Sequence, residues 1–316
     1  MAVHWQASAS VALLKRRAEL LQQIRGYFAL QNVLEVETPL LCHGSVTDPH
    51  LEAFTTFWQP GNKNLYLQTS PEYAMKRLLA GGCGDIFQIC KAFRQDPVAS
   101  KHNPEFTLLE WYRIGYDHHQ LMADVQGLLA SVGITGELQR LSYRQAFIYH
   151  LSIDPFLITD AALQQLTSGH IEGSFGDESR DFYLELLFSH LIEPHLNRHI
   201  IYDYPLSQAA LARSGLDAKG AAVGHRFEVF VQGVELANGY WELQSADEHR
   251  QRFKRDRQLR RQAAQVLIDD DERFLAALEA GLPSCAGVAL GVDRLLQALT
   301  GANQLAEVVS FTTDQA

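Results

Sequence analysis

The sequence predicts an α+β fold, with one mostly antiparallel β-sheet flanked by helices. Three observations predict it. Strand-like runs recur at long intervals, at 51–69, 85–94, 105–113, 199–204, 226–243 and 287–291. Helical stretches are inserted between them, most densely at about 115–200. No internal repeat, low-complexity tract or linker divides the 316 residues, which therefore read as a single domain, 1–316.

The elements follow in order. In "SVALLKRRAELLQQIRGYFAL" the apolar positions 11, 14, 18, 21, 24 and 28 form a helical stripe, and Ser10 is a candidate N-cap. "VLEVETPLL" alternates briefly before Pro39 blocks helix continuation. Residues 51–69 read as strand, turn and strand around "QPGNKN". "SPEYAMKRLLAGG" is a short helix with Ser70 as N-cap, Pro71 at the first helical position, Glu72 in the first turn and Gly81 at the end. "DIFQICKAFR" and "EFTLLEWYR" are strands joined by the polar loop "QDPVASKHNP". Helices are expected at 117–132, at 142–149 (a Ser142/Gln145 capping box), at 160–166 and at 181–196. Asn238-Gly239, set between apolar alternations, predicts a type I′ hairpin in which Glu235 faces Glu242. A charged helix follows at about 246–266, and "GVALGVDRLLQAL" is a strand that breaks at Gly291 into a helix.

Composition bounds the function. The chain is 47% hydrophobic and 20% charged, with a formal charge of −10. That balance does not suit indiscriminate binding to nucleic acid. The cysteines, 42, 83, 90 and 285, form no C-x-x-C pair, so they suggest neither zinc nor a redox dithiol. "MAVHWQASAS" lacks an apolar leader, and no apolar run reaches the roughly 18 residues of a membrane span. A soluble cytoplasmic protein is expected.

Four groups of residues carry chemistry, and each has a plainer reading beside it. Arg94, Lys101, His102 and Asn103 lie on a loop next to Phe106. Cations for phosphates and a ring for a base suit a nucleotide, but a solvated basic loop over a core phenylalanine fits as well. Gly287, Gly291 and Arg294 could wall a phosphate or adenine site, or be an ordinary glycine-rich strand-to-helix turn. Glu72 could receive an ammonium, or simply belong to a helix start. Glu110 and Tyr112 share a strand face and would add to an acidic pocket. Glu235 and Glu242, if opposed, repel each other unless a divalent cation, a raised carboxyl pKa or solvent relieves them.

Together, in this order, these pieces resemble the catalytic domain of class II aminoacyl-tRNA synthetases of the lysyl subgroup. "LEVETP" resembles motif 1, "FRQDPVASKHNPEFTLLEWYR" motif 2 and "GVALGVDRLLQAL" motif 3. "SPEYAMKRLLAGG" and "GVELANGYWEL" resemble the lysyl enzymes' amino-acid and metal segments. The resemblance covers about 10–311. It implies that fold, a homodimer, and ATP with Mg²⁺. It implies that Arg94 grips the α-phosphate, that Phe106 and Arg294 sandwich the adenine, and that Asn103 holds its edge. His102 would face the terminal phosphates, Gly291 would leave room, and Leu236 would sit against the nucleotide. Glu235 and Glu242 would bind Mg²⁺, and Ser70, Pro71, Glu72, Glu110, Tyr112 and Glu242 would line the amino-acid pocket. Arg94 and Arg294 would be the catalytic pair.

The chain departs from the lysyl pattern in informative ways. The Arg-Asn-Glu opening of motif 2 is Arg94-Gln95-Asp96 here, which keeps polar function at the nucleotide with altered reach. With a single helix before motif 1, no OB-fold that reads the anticodon is expected. Ser70 and Ala289 replace the usual alanine and glycine where the amino acid's backbone is received. These features resemble the truncated lysyl-type paralogues that attach (R)-β-lysine to a lysine of elongation factor P, without tRNA anticodon binding. An ATP-dependent, AMP-forming ligase is therefore expected, with elongation factor P and (R)-β-lysine as its partners. A minimal lysyl-tRNA synthetase and an inactive regulatory homologue are the alternatives.

Overall fold

The computed structural model describes residues 5–173, 175–176 and 178–316. The first four residues of the stretch read as lacking a leader lie outside them. Helix α1 (Val11–Leu30) starts where the Ser10 side chain accepts the Leu13 N–H, and it buries Leu20, Ile24 and Phe28. Short β1 (Leu34–Glu35) and β2 (Leu41–Cys42) follow. Then come β3 (Thr55–Trp58) and β4 (Lys63–Leu67), an antiparallel pair. Helix α2 (Glu72–Ala80) leads to β5 (Ile86–Phe93) and β6 (Glu105–Ile114), paired antiparallel with Phe93 opposite Glu105.

The middle of the chain is largely helical, as the sequence predicts. It holds α3 (His118–Val132), β7 (Gln139–Ser142), α4 (Tyr143–Leu151), α5 (Asp160–His170) and α6 (Arg180–Leu187). The Ser142/Gln145 capping box opens α4. Strands β8 (His199–Pro205), β9 (Ser214–Leu216), β10 (Ala222–Val231) and β11 (Val234–Trp241) come next. Helices α7 (Ala246–Gln262) and α8 (Glu272–Gly281), strand β12 (Cys285–Gly291) and helix α9 (Val292–Thr300) complete the order. Strands β7 and β9 are too short to be read from sequence, while α8, capped by Asp271 and burying Phe274, Leu275 and Leu278, is a helix the sequence reading missed.

The main sheet runs β1-β5-β6-β12-β11-β10-β8-β7, with β9 on β10. Only its outer pairs, β1/β5 and β7/β8, are parallel. Helices α1, α3 and α9 cover one face through Phe28, Leu121, Val125, Leu128 and Leu295, against Phe87, Trp111, Phe227 and Val288. Helices α4–α6 pack a second cluster over β8 and β10, and α2 and α8 a third beside β5 and β12. Among the described residues no helix is long and apolar enough to cross a membrane.

One expectation fails here. Asn238-Gly239 is not a turn, since β11 runs straight through it. The hairpin closes at Gln232-Gly233, both in the left-handed region with φ of 55° and 68°. Gly239 is glycine for packing. A Cβ there would lie 2.6 Å from Phe227 Cε1 and 3.0 Å from Val288 Cβ. Asn238 is polar because its amide meets Arg226 at 3.2 Å and Glu228 at 3.3 Å. Glu235 and Glu242 are therefore on one strand and are not cross-strand partners.

Candidate active site

The open face of the sheet forms a groove whose floor is β12. Its core-facing residues are Ala286, Val288 and Leu290, and the alternate ones are Gly287, Ala289 and Gly291. These three small residues stand opposite Tyr112, Glu110 and Leu108 of β6. On the other side of β12, β11 contributes Glu235 and Tyr240, and Glu242 follows just past its end. Strict alternation would put positions 235 and 242 on opposite faces. A β-bulge prevents this: Val229 pairs with Ala237 but Phe230 pairs with Glu235, so Leu236 is an extra residue. Leu236 drops into the core, 2% exposed, and Glu235 turns to the groove, where it meets Arg294. The Leu236 side chain therefore lies in the core and not in the groove.

One end of the groove is acidic. Helix α2 begins one residue later than expected, at Glu72, with Pro71 as its N-cap. Ser70 precedes the cap. Its hydroxyl accepts the Glu72 N–H at 3.1 Å and donates to Glu110 Oε2 at 2.7 Å. Tyr112 donates to the other Glu110 oxygen at 2.6 Å. A Cβ on Gly287 would strike the Tyr112 ring and come within 2.6 Å of Glu242 Oε1, so only glycine admits this arrangement.

The sequence reading missed Lys76. Its buried ammonium lies 2.5 Å from both Glu72 Oε1 and Glu242 Oε2. The signal for it was the i,i+4 spacing from Glu72. Glu242 and Glu72 keep the Lys76 ammonium charged, well above the ordinary lysine range, against the effect of burial. One cation faces three carboxyl groups, Glu72, Glu110 and Glu242. Burial, with Glu72 nearby, raises Glu110 to about 7. Burial, with Glu72 and Glu110 nearby, raises Glu242 to about 8 despite Lys76. The pocket is thus short of positive charge.

A pH dependence follows. Both carboxyls bind a proton more tightly folded than unfolded, so their contribution to stability is present at low pH and lost as pH rises toward 8. Buried His249, pushed down to about 3, stays neutral in the folded state, and the opposing slope from its unfolded form, which titrates near 6.5, has faded by about pH 7.5. The ligand-free melting temperature is expected to fall between pH 6.5 and 8.5, by up to about 1.4 kcal/mol of stability per unit for each carboxyl. A diamino acid is expected to protect more at pH 8.5 than at 6.5. Thermal melts with and without ligand check this, and a flat profile contradicts it.

The other end is rich in arginine. The Arg94 guanidinium lies 5.1 Å from the Phe106 ring centroid, and its Nε is buried without a partner. Arg294, in the first turn of α9, donates to the Glu235 carbonyl at 2.9 Å and lies 3.5 Å from the Glu235 carboxylate. Buried Asp293 anchors that turn, accepting the Thr107 N–H at 2.8 Å and pairing with Arg17 at 2.6 Å. His102 Nε2 lies 3.0 Å from Arg294, and burial and that guanidinium push its pKa down. Its Nε2 is therefore engaged by Arg294, and Nδ1 is what remains for a phosphate.

Three further motif-2 residues have neighbours within the chain. The Asn103 amide is used at both ends, by the Glu105 carbonyl at 2.5 Å and the Thr313 N–H at 3.1 Å. Gln95 donates to the Ala53 carbonyl at 2.8 Å, which fixes the loop. Asp96 lies close enough to Arg94 to favour its charge. At Gly291 a Cβ would meet nothing of the chain closer than 3.8 Å, so the groove stays open above it.

The carboxylate beside Glu235 is Glu228, which sequence reasoning missed. Burial and Glu228 together raise Glu235 to about 7. Glu228 pairs with Arg226 and accepts from the Tyr204 hydroxyl at 2.6 Å. Glu242 lies seven residues along the strand, about 20 Å away, and belongs to the acidic end. One ion cannot bridge Glu235 and Glu242. Two adjacent carboxylates form the hard oxygen donor set that Mg²⁺ takes, so Glu228 and Glu235 fit that ion and the expected pair does not. The alternation around Gln232-Gly233 was the available signal.

The family model described as tRNA synthetases class II (D, K and N) matches residues 2–315. The chain belongs to this family. Within it, the elongation factor P--(R)-beta-lysine ligase of Salmonella typhi is 47% identical over 323 aligned residues, 99% of this chain and 98% of that protein. The proteins of the same name from Salmonella agona and Salmonella enteritidis match with the same identity and coverage. The antiparallel sheet with flanking helices, and the groove between motifs 2 and 3, are those of a class II synthetase.

Proposed function

We propose that the chain is an ATP-dependent ligase that activates (R)-β-lysine as an aminoacyl-adenylate and transfers it to the ε-amino group of a lysine on elongation factor P. The observation that carries this is the acidic pocket. Two buried carboxyl groups, the half-buried Glu72 and one internal ammonium call for a second cation, and the arginine-lined half of the same groove suits a nucleotide. The two departures in the amino-acid pocket meet at Glu110, because Ser70 bonds it and Ala289 stands opposite it. They reshape the end of the pocket that receives the amino acid's backbone, where α- and β-lysine differ. The full-length likeness to the Salmonella ligases supports the same reading.

In the first step a carboxylate oxygen of the amino acid attacks the α-phosphorus, and the bond to pyrophosphate breaks. The nucleophile is already ionised, so no general base is required. Arg94 would hold the α-phosphate and stabilise the charge that develops on it. Phe106 and Arg294 would sandwich the adenine, and His102 would brace Arg294. Glu228 and Glu235 would hold Mg²⁺, which neutralises phosphate charge when bound. Glu72, Glu110, Tyr112 and Glu242 would orient the diamino acid. In the second step the neutral lysine amine attacks the acyl carbon, AMP leaves, and the nitrogen loses a proton. The reading carries with it a cytoplasmic homodimer. Exposed Leu30, Leu34, Leu40 and Leu41 around β1 and β2 support the second copy.

ATP–pyrophosphate exchange is expected with (R)-β-lysine in preference to α-lysine, followed by label transfer to elongation factor P. Exchange with α-lysine alone, accompanied by tRNA charging, would sink the assignment. Nucleotide binding without pyrophosphate release would mark an inactive homologue. The Mg²⁺ requirement separates the two carboxylate pairs. Glu228→Gln and Glu235→Gln are expected to raise the Mg²⁺ concentration needed for half-maximal exchange about tenfold or more. Glu242→Gln is expected to raise the KM for the amino acid instead.

A further inference from the structure

Three residues far apart in sequence meet on the sheet face opposite the groove. His118 opens α3, Asp203 lies in β8 and His225 in β10. His118 Nε2 is 3.3 Å from Asp203 Oδ1, and His225 Nδ1 is 3.1 Å from the same oxygen. One donor atom from each of the three lies within 4.8 Å of the other two. Ligands of a tetrahedral zinc ion at 2.0–2.1 Å stand about 3.3 Å apart. Two edges of such a site already have that length.

The surroundings favour an ion over a simple hydrogen-bonded cluster. The His118 Nδ1 is buried without a hydrogen-bond partner, Nε2 has only its 3.3 Å contact with Asp203, and the residue is 3% exposed. A buried polar group left unpaired calls for an explanation. The rings of His118 and His225 are stacked with centroids 4.6 Å apart. A Cβ on Gly215 of β9 would fall on the His225 ring, so the glycine lets β9 close over it and fixes its orientation. Trp241 closes another side, 5.5 Å from His225 and 6.2 Å from His118. Asp203 sits at φ 57°, where β8 and β10 shift register. Non-glycine residues keep such a conformation only where the surroundings impose it.

Two imidazole nitrogens and one carboxylate oxygen suit Zn²⁺ and its neighbours; Mg²⁺ and Ca²⁺ take oxygen ligands. We propose that His118, Asp203 and His225 form a zinc-type divalent-cation site, with the fourth position open to water. The ion ties the start of α3 to β8 and β10. Because Arg226 and Glu228 flank His225 on β10, the site braces the groove wall from behind. It is separate from the Mg²⁺ chemistry of the groove and does not depend on the proposed substrates.

The test uses the full chain after treatment with a chelator, titrated with ZnCl₂ or CoCl₂ alone. One equivalent of Zn²⁺ is expected to raise the melting temperature by about 5 °C. Co²⁺ is expected to give the visible absorption of a four-coordinate ion. His225→Gln and Asp203→Asn are expected to abolish both responses. Absence of both in the natural chain overturns the proposal, as does an equal zinc response in both variants. Should a variant fail to fold, X-ray absorption of the zinc-loaded natural chain decides. Nitrogen and oxygen ligands including two imidazoles support the site, and sulfur ligands overturn it.

Discussion

Replacing Lys76 with methionine is expected to destabilise the folded chain by about 3–5 kcal/mol at pH 8. The ammonium has no exposed surface and sits between Glu72 and Glu242. Removing it leaves buried carboxylates facing one another, which costs far more than the pair contributed. The loss should be smaller at pH 6, where Glu110 and Glu242, raised to about 7 and 8, take up protons. Adding Glu242→Gln should recover part of it, because the two residues are in contact and their effects do not add. Urea denaturation at both pH values measures this. A loss under about 1 kcal/mol at pH 8 would show that Lys76 is not what holds the acidic end together.

The second large effect is on rate. Arg94→Ala is expected to lower ATP–pyrophosphate exchange by about 10²–10³-fold with little change in stability. The guanidinium is fixed over Phe106, and its Nε has no partner in the chain. Arg94→Lys should recover little, since an ammonium cannot make the planar two-point contact. Exchange within tenfold of the natural chain in the alanine variant would remove Arg94 from the reaction. Circular dichroism of the variant keeps a folding defect from being mistaken for a catalytic one.

Locally encoded features were legible. Ser10 caps its helix, the Ser142/Gln145 box opens α4, and the motif-2 strands pair as alternation implies, because caps and two-residue periods are set by neighbours in sequence. The acidic composition of the pocket was equally legible from "SPEY" and "LEWY". The misread hairpin shows the limit. "VQGVELANGY" offers two turn dipeptides a few residues apart, both flanked by apolar alternation. Local rules prefer Asn-Gly. What decides is Phe227, which needs a glycine beneath its ring at 239, and Arg226 with Glu228, which need the amide of Asn238. All three lie on the neighbouring strand. The bulge at Leu236 then re-phases the strand and pairs Glu235 with Glu228 and Arg294.

The sequence by itself determined the fold class, the order of the motifs and the chemical types that meet in the groove. Each is written in spacing along one segment. Only the tertiary structure decided which carboxylate neighbours which. It placed Lys76 inside the acidic pocket, and it brought residues 118, 203 and 225 to one point. Those outcomes depend on register, bulges and packing between strands distant in sequence. A one-residue change of phase reverses the face a side chain occupies, and no local pattern records it.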